Sequence, residues 1–291
     1  MSHSYSCVLH DGPLTITCRD DVTQEAAASW LTAHRARAEH GDRASPRDGD
    51  GVPCAGDGCH PGVILKPDRG RGLKRVLSPL LGLRRGPRKA FEIGVWLESA
   101  GVSAARPLAL IVERRAGCEV HSSLVLERVE GVTLRQFLLE QLPAAAARGA
   151  GDALRQGLCR AIAEEVARLH LAHVRQRDLK APNLIVSELP DALRVTIVDL
   201  EGMSRCAAVP PSRVRARDLG RLAASFLEPE VVAQARVGVD DWRRLCERYV
   251  EILRAGSPDS DGGECDRLTE ASVAWAQRKL ERNRRRGRVT W

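Results

Sequence analysis

The chain has 291 residues, and 43% of them are hydrophobic, so it is long enough to bury one large core or two smaller ones. Its formal net charge of +7 indicates an acidic partner such as nucleic acid, anionic lipid or a phosphorylated substrate. Aromatic residues make up only 3%, which disfavours single-stranded nucleic acid because base stacking requires aromatic side chains.

Targeting signals and cysteine usage both indicate the cytoplasm. No apolar stretch approaches the roughly 18 residues that span a bilayer. The first residues, MSHSYSCVLHDG, lack the basic start and apolar core of a secretion signal. Nine cysteines, odd in number and irregularly spaced, fit reduced thiols better than a disulfide framework.

The first 62 residues combine two short elements with a glycine-rich stretch. LTITCRD alternates like a strand, and AAASWLTAHRARAEH reads as a helix. Residues 41–62 contain six glycines and three prolines, which predicts a mobile loop. Cys54, Cys59 and His60 in this loop invite a zinc interpretation, but a fourth ligand is not evident and the cysteine spacing is loose, which favours an ordinary loop.

A strand and a basic segment follow. VILK is a short β-branched run that ends in Lys66. Residues 67–89 are strongly basic, and leucines alternate with the charges. Two interpretations stay open: a solvated face, or an amphipathic helix that makes peripheral contact with an anionic membrane surface.

Two helices and a strand lead to the middle of the chain. RKAFEIGVWLESAG has apolar residues at Phe91, Val95 and Trp96, and Gly101 lies just past its end, as expected for a helix stopped by a left-handed residue. SSLVLERV predicts a buried strand followed by a turn at residues 130–131. Apolar residues then recur every three to four positions, which predicts one face of a long helix: Leu154, Leu158, Ile162, Val166 and Leu169.

This helix delivers the chain to the loop HLAHVRQRDLKAPN, and two short strands, LIV and VTIVDL, come after the loop. The turn between the strands predicts a hairpin that brings Asn183 close to Asp199. The C-terminal run RKLERNRRRGRVTW is typical of a solvated helix end or tail, and less often of a binding arm.

The loop and hairpin carry the groups that phosphoryl transfer requires: a base near the acceptor hydroxyl, a cation over the moving oxygens, and oxygen ligands for Mg²⁺. Asp178 can orient the hydroxyl and accept its proton, and Lys180 can neutralise charge on the phosphoryl group. Asn183 and Asp199 supply the oxygens that Mg²⁺ prefers. The alternative is an ordinary polar loop, and the helix–loop–hairpin context favours chemistry.

These residues resemble a known superfamily. RDLKAPN at 177–183, followed by the hairpin and DLEG at 199–202, is similar to the catalytic and metal-binding segments of protein kinase-like proteins. The upstream stretch from ILKPDRGR to ARPLAL narrows the resemblance to bacterial lipopolysaccharide core kinases, the Kdo/WaaP family. The similarity covers roughly residues 60–226.

The resemblance implies an α+β, two-lobed protein kinase-like fold, with a small β-rich lobe at 1–127 and a mostly helical lobe at 128–291. The nucleotide-binding groups it implies lie in and just after the first lobe. Lys66 would hold the ATP phosphates, Glu92 would pair with Lys66, and backbone groups near Glu127 and Val129 would meet adenine. Asp218 would brace the catalytic loop.

The implied activity is ATP- and Mg²⁺-dependent phosphorylation of a sugar hydroxyl, with an acidic glycolipid of the lipopolysaccharide core as acceptor. An atypical kinase acting on protein Ser/Thr or on a small molecule is the first alternative. Two departures keep a pseudokinase binding module as the second: Gln176 stands where kinases usually carry histidine, and no G-x-G-x-x-G loop precedes Lys66.

Overall fold

A computed structural model describes the chain at residues 7–40, 52–53, 62–68, 86–116, 118–190, 192–256 and 264–287. Most of the loop 41–62, including Cys54, Cys59 and His60, lies outside the described residues, as do residues 69–85 of the basic segment. Two compact units divide the chain. The first comprises Met1–Ser99 and Ala105–Val129, and the second comprises Ala100–Ala104 and Glu130–Trp291.

The first unit is built on an antiparallel sheet of six strands in the order β1-β2-β5-β6-β4-β3. The strands are β1 (Cys7–Asp11), β2 (Leu14–Cys18), β3 (Val52–Pro53), β4 (Val63–Pro67), β5 (Pro107–Arg115) and β6 (Cys118–Glu127). The helices that the structure describes in this unit are α1 (Gln24–His40) and α2 (Gly86–Ser99). In β2, burial alternates along the strand as its sequence predicts, and the buried residues form a core with Ala27 and Trp30 of α1.

Helix α2 confirms the predicted helix in this region. Its core face differs from the apolar residues that stand out in the sequence, because Ala90, Ile93 and Leu97 are buried while Phe91, Val95 and Trp96 are only half-buried. The helix ends at Ser99, and Gly101 has φ +69°, in the left-handed region.

The second unit is mostly helical. Its strands are β7 (Val132–Thr133), β8 (Val174–Gln176), β9 (Leu184–Leu189), β10 (Ala192–Ile197) and β11 (Met203–Arg205). Its helices are α3, composed of Leu134–Gln136, the π-turn Phe137–Gln141 and Leu142–Ala147, then α4 (Gly151–Leu171), α5 (Ser212–Phe226), α6 (Pro229–Ala235), α7 (Val239–Gly256) and α8 (Glu264–Arg285), with a 3₁₀ turn at Ala181–Asn183. The strands form a three-stranded sheet, β10-β9-β7, and a two-stranded sheet, β11-β8.

The predicted long helix is α4, and its apolar face is the centre of this unit. Leu158, Ile162, Val166 and Leu169 are fully buried, whereas Leu154, one turn from the start, is half-buried. The helix packs against α7, where the Tyr249 hydroxyl lies 2.6 Å from His170 Nδ1. Burial of this apolar face fixes the end of α4, from which the candidate loop leaves.

The predicted hairpin is formed by β9 and β10, which pair with Val186 opposite Val195. Strand β7 pairs with the other side of β9, and the turn before β7 contains Gly131 with φ +128°. A Cβ atom there would lie 2.4 Å from the Val186 carbonyl oxygen, so this close approach requires glycine. Of the helices in the described segments, none combines the length and the apolar character needed to cross a bilayer.

Candidate active site

The candidate catalytic loop runs from the end of β8 to the start of β9, and backbone hydrogen bonds hold it at both sides. The Arg177 N–H donates to the Gly202 carbonyl at 3.0 Å, and the Ala181 N–H donates to Ser225 Oγ on α5 at 3.2 Å. The Val198 N–H donates to the Asn183 carbonyl at 3.0 Å. The loop is therefore tied to the hairpin and to α5, which fixes the positions of its side chains.

Gln176 connects the two acidic segments of the site. It is fully buried, and its Oε1 accepts a hydrogen bond from the Asp178 N–H at 3.1 Å. Its Nε2 donates to the Asp199 carbonyl at 2.5 Å. A Cβ atom at Gly202 would lie 2.2 Å from Gln176 Oε1, so glycine at 202 leaves room for this amide. The Gln176 amide thus donates one hydrogen bond to the Asp199 carbonyl and accepts one from the Asp178 N–H, so it joins these two segments.

Asp178 and Lys180 form an ion pair at the exposed side of the loop. Lys180 Nζ lies 3.0 Å from Asp178 Oδ2, and the two side chains are 27% and 48% exposed, respectively. An exposed pair of this kind contributes little to stability, typically about 1 kcal/mol or less. Both groups are accessible to a substrate, and the ammonium lies where it can neutralise charge next to the Asp178 carboxylate.

Asn183 lies between the two carboxylates, as the hairpin prediction requires. Its Nδ2 donates to the Asp178 carbonyl at 2.8 Å, and it lies 3.3 Å from Asp178 Oδ2 and 3.5 Å from Asp199 Oδ2. Because the Asp178 carbonyl holds the amide nitrogen, the amide oxygen is left to bind a cation. A carboxylate oxygen and an amide oxygen are the types of ligand that Mg²⁺ prefers, and Asn183 and Asp199 bring one of each to the same place. The residues present therefore suit the predicted metal.

Asp218 on α5 holds the backbone at the start of the catalytic loop. Its carboxylate is buried, accepts the Gln176 N–H at 3.1 Å and pairs with Arg221 at 3.0 Å. His170 Nε2 lies 3.8 Å from the same carboxylate. Burial lowers the pKa of His170, while Asp218 acts in the opposite direction. The contact between Asp218 and the Gln176 backbone agrees with the bracing role that the resemblance implies.

The predicted nucleotide-binding residues belong to the first unit. Lys66 lies on β4 opposite Leu124 of β6, and Glu92 is an exposed residue of α2. Their pairing stays a prediction. The Glu127 carboxylate pairs with Arg106 Nε at 2.8 Å.

The backbone N–H groups at the end of β6, where the adenine contact is predicted, differ in whether they already donate a hydrogen bond. The Glu127 N–H donates to the Arg106 carbonyl at 2.9 Å, and the Arg128 N–H donates to the Gly62 carbonyl at 2.6 Å. In the described part of the chain, the N–H of Val129 has no hydrogen-bond partner. Val129 therefore offers the donor in this stretch.

Sequence reasoning missed two groups near the loop. Ser225, fully buried, accepts the Ala181 N–H, but a serine inside a helix gives no signal of this long-range contact. Trp275 and Lys279 of α8 lie against Arg221 of α5, with both cations over the indole ring. The C-terminal basic run was the available signal, and charge composition alone favoured a solvated helix end.

The α+β architecture and the loop–hairpin site define a protein kinase-like fold. Among solved structures, a glucosamine kinase in complex with glucosamine, ADP and inorganic phosphate has this fold: the TM-score is 0.52 at 14% identity, over 96% of this chain and 89% of that chain. The model of the lipopolysaccharide kinase (Kdo/WaaP) family matches residues 88–249, more than half of the chain. The chain belongs to this family, which confirms the resemblance seen in its sequence.

Two curated relatives are both 3-deoxy-D-manno-octulosonic acid kinases. The protein from Actinobacillus succinogenes is 25% identical over 153 residues, which are 53% of this chain and 58% of the relative. The protein from Pasteurella multocida is 24% identical over 159 residues, which are 55% of this chain and 61% of the relative. The chain thus spans about three fifths of the length of the curated relatives that it matches.

Proposed function

We propose that the protein is an ATP- and Mg²⁺-dependent phosphotransferase that phosphorylates a sugar hydroxyl of the lipopolysaccharide core or a related glycolipid. The observation that carries this proposal is the cluster of Asp178, Lys180, Asn183 and Asp199 on one loop and hairpin of the second unit. Family membership and the names of the two relatives support the sugar acceptor.

In this proposal, the chain's own side chains orient the acceptor and receive its proton. The Asp178 carboxylate accepts the hydrogen bond of the attacking hydroxyl and takes its proton as the phosphoryl group is transferred. Lys180, 3.0 Å from Asp178, stabilises the negative charge of the transferring oxygens. Asn183 and Asp199 would hold Mg²⁺, which neutralises and aligns the phosphates of ATP. Gln176 keeps Asp178 and Asp199 at a fixed separation through its two hydrogen bonds.

The nucleotide contacts of the proposal come from the first unit. Lys66 would bind the α- and β-phosphates, and Glu92 would hold the Lys66 ammonium in place. The Val129 N–H, without a hydrogen-bond partner in the described residues, suits an acceptor nitrogen of adenine. A glycolipid acceptor would bring the protein to the inner face of the membrane, where its basic charge favours peripheral contact with anionic lipid.

A labelling experiment tests this function. Purified protein is incubated with γ-labelled ATP, MgCl₂ and separate fractions of lipopolysaccharide core, cell protein and RNA. We expect label in the lipopolysaccharide fraction alone, and none when EDTA replaces MgCl₂. Label in protein supports the atypical kinase, and label in RNA alone contradicts the sugar assignment. Nucleotide binding without transfer to any fraction supports a pseudokinase.

A further inference from the structure

A cluster of cations lies beside the candidate site, on two helices that pack closely. A Cβ atom at Gly220 of α5 would lie 2.8 Å from the Trp275 Cβ of α8, so the helices meet closely at this point. The Trp275 ring has the Arg221 guanidinium at 5.3 Å and the Lys279 ammonium at 5.6 Å from its centroid. The indole therefore holds two like charges in one place, which cation–π attraction stabilises.

Arg221 is linked to the catalytic loop by direct contacts, and Lys279 interacts with it electrostatically. Arg221 pairs with Asp218 at 3.0 Å, and Asp218 holds the Gln176 N–H two positions before Asp178. Burial lowers the pKa of Lys279, and the Asp178 carboxylate raises it as the largest charge effect. Lys180, Arg221 and Arg282 also act on the Lys279 ammonium, each lowering its pKa.

Of the four cations Lys180, Arg221, Lys279 and Arg282, two pair with a carboxylate in the described residues. Lys180 pairs with Asp178, and Arg221 pairs with Asp218. Among the residues that the structure describes, Lys279 and Arg282 form no ion pair. A half-buried ammonium that forms no direct ion pair is costly, and a bound anion would reduce this cost.

We propose that Lys279, together with Arg221 and Arg282, binds an anionic group of the acceptor and so directs the neighbouring hydroxyl to Asp178. This inference rests on the proposed function, since it assigns part of the same site to the acceptor. The anionic group is a sugar carboxylate or a phosphate of the glycolipid, and both have the charge and oxygen acceptors that a lysine and two arginines bind. Lys279 lies beyond residue 249, where the family match ends.

The acceptor fits this cluster better than the nucleotide does. The ATP phosphates are assigned to the cation held by Asn183 and Asp199. Lys279 instead shares the Trp275 ring with Arg221, and Arg221 pairs with Asp218, which holds the Gln176 N–H two positions before Asp178, the group assigned to the acceptor hydroxyl. A cation on the acceptor side of the site can discriminate charged acceptors from neutral ones.

The test compares Lys279→Met with Arg278→Met, which removes the same charge from the exposed neighbouring position of α8. The probes are 3-deoxy-D-manno-octulosonic acid, its neutral methyl ester, and a lipopolysaccharide core fraction before and after phosphatase treatment. Loss of a charge-assisted contact raises KM for the acceptor by about tenfold or more in Lys279→Met. KM for ATP stays unchanged, and Arg278→Met behaves as the unsubstituted protein.

The probes separate the two anions. A KM increase that disappears with the methyl ester identifies the carboxylate, and one that disappears after phosphatase treatment identifies the phosphate. An unchanged KM for every charged acceptor, or an equal increase with neutral acceptors, overturns the inference.

Binding of 3-deoxy-D-manno-octulosonic acid and of the core fraction, measured by calorimetry without nucleotide, separates failure of this inference from failure of the proposed function. Weaker binding by Lys279→Met supports the acceptor site even if no phosphate is transferred. If Lys279→Met binds these acceptors as tightly as Arg278→Met does, the acceptor site is contradicted even if transfer is observed.

Discussion

Asp178 is the side chain on which the proposed chemistry depends. It is 48% exposed, paired with Lys180 at 3.0 Å, and close to the amide of Asn183. These contacts orient the carboxylate without removing it from solvent. An acceptor hydroxyl can therefore approach it.

We expect Asp178→Asn to lower kcat by about 10²- to 10⁴-fold, because the amide keeps the shape of the side chain and cannot accept the proton. Nucleotide affinity, measured by equilibrium binding of ATP with Mg²⁺, should change little. Glu188→Gln is the control, since it neutralises an exposed carboxylate of β9 in the same hairpin. Full transfer activity in Asp178→Asn would contradict the assignment of the base.

Gln176 determines how firmly the acidic segments are held. Replacing it with alanine leaves the Asp178 N–H and the Asp199 carbonyl without their partner, at a cost of about 1–3 kcal/mol in the free energy of unfolding. We expect kcat to fall as well, because both acidic segments lose a fixed position. Urea unfolding and steady-state kinetics measure the two effects. The exposed Gln156→Ala on α4 should change neither.

At this scale, sequence reasoning named the candidate residues from their types and spacing, which are local properties, and their roles stay predictions. The spacing of Asn183 and Asp199 around a hairpin placed them together, and the structure does so. The two hydrogen bonds of Gln176 and the contact of Ser225 with Ala181 were not predictable, because they join segments that are distant in sequence.

The sequence predicts the elements of the second unit best where their local hydrophobic patterns are strong. The apolar periodicity predicted α4, and two apolar runs around a turn predicted β9 and β10. The π-turn at Phe137–Gln141 had no sequence signal, because its ring differs from a regular helix by one residue in a hydrogen bond, here from the Leu142 N–H to the Phe137 carbonyl. Patterns therefore predict which elements exist better than they predict irregularities inside them.

The close contact between Gly131, in the turn before β7, and strand β9 can be tested by substitution. In Gly131→Ala, the new methyl group would meet the Val186 carbonyl, and φ +128° is strained for any other residue. We expect a loss of about 1–3 kcal/mol or more in the free energy of unfolding, measured in urea. Gly149→Ala provides the control, since it also has positive φ, +80°, but nothing lies within 4 Å of its Cβ. An equal loss in both variants would mean that backbone strain, and not close packing on β9, requires the glycine at 131.

For the molecule as a whole, the family resemblance implied a β-rich first part and a helical second part, and the fold confirms this architecture. The packing of α8 on α5 could not be predicted, because the close approach at Gly220 and Trp275 joins residues that are far apart in sequence. Each unit also contains a buried histidine that local patterns do not distinguish from an exposed one: His34 in the first unit and His170 in the second.

The buried histidines predict how stability depends on pH. Burial lowers the pKa of both His34 and His170 from the ordinary 6.5. Each is therefore neutral in the folded protein at a pH where the unfolded chain binds a proton. Their contribution to stability is complete above pH 6.5 and is lost as the pH falls toward the folded-state pKa.

We expect the free energy of unfolding to decrease between pH 7 and 5.5 with a slope that approaches about 1.4 kcal/mol per pH unit for each histidine. In His170→Asn, the slope should become smaller by one histidine's contribution, even if the variant is less stable at every pH. His173→Asn is the matched control, because asparagine tolerates the left-handed backbone that His173 adopts at φ +58°. Urea titrations at a series of pH values measure the slopes, and an unchanged slope in His170→Asn would show that His170 takes up its proton in the folded protein as readily as in the unfolded chain.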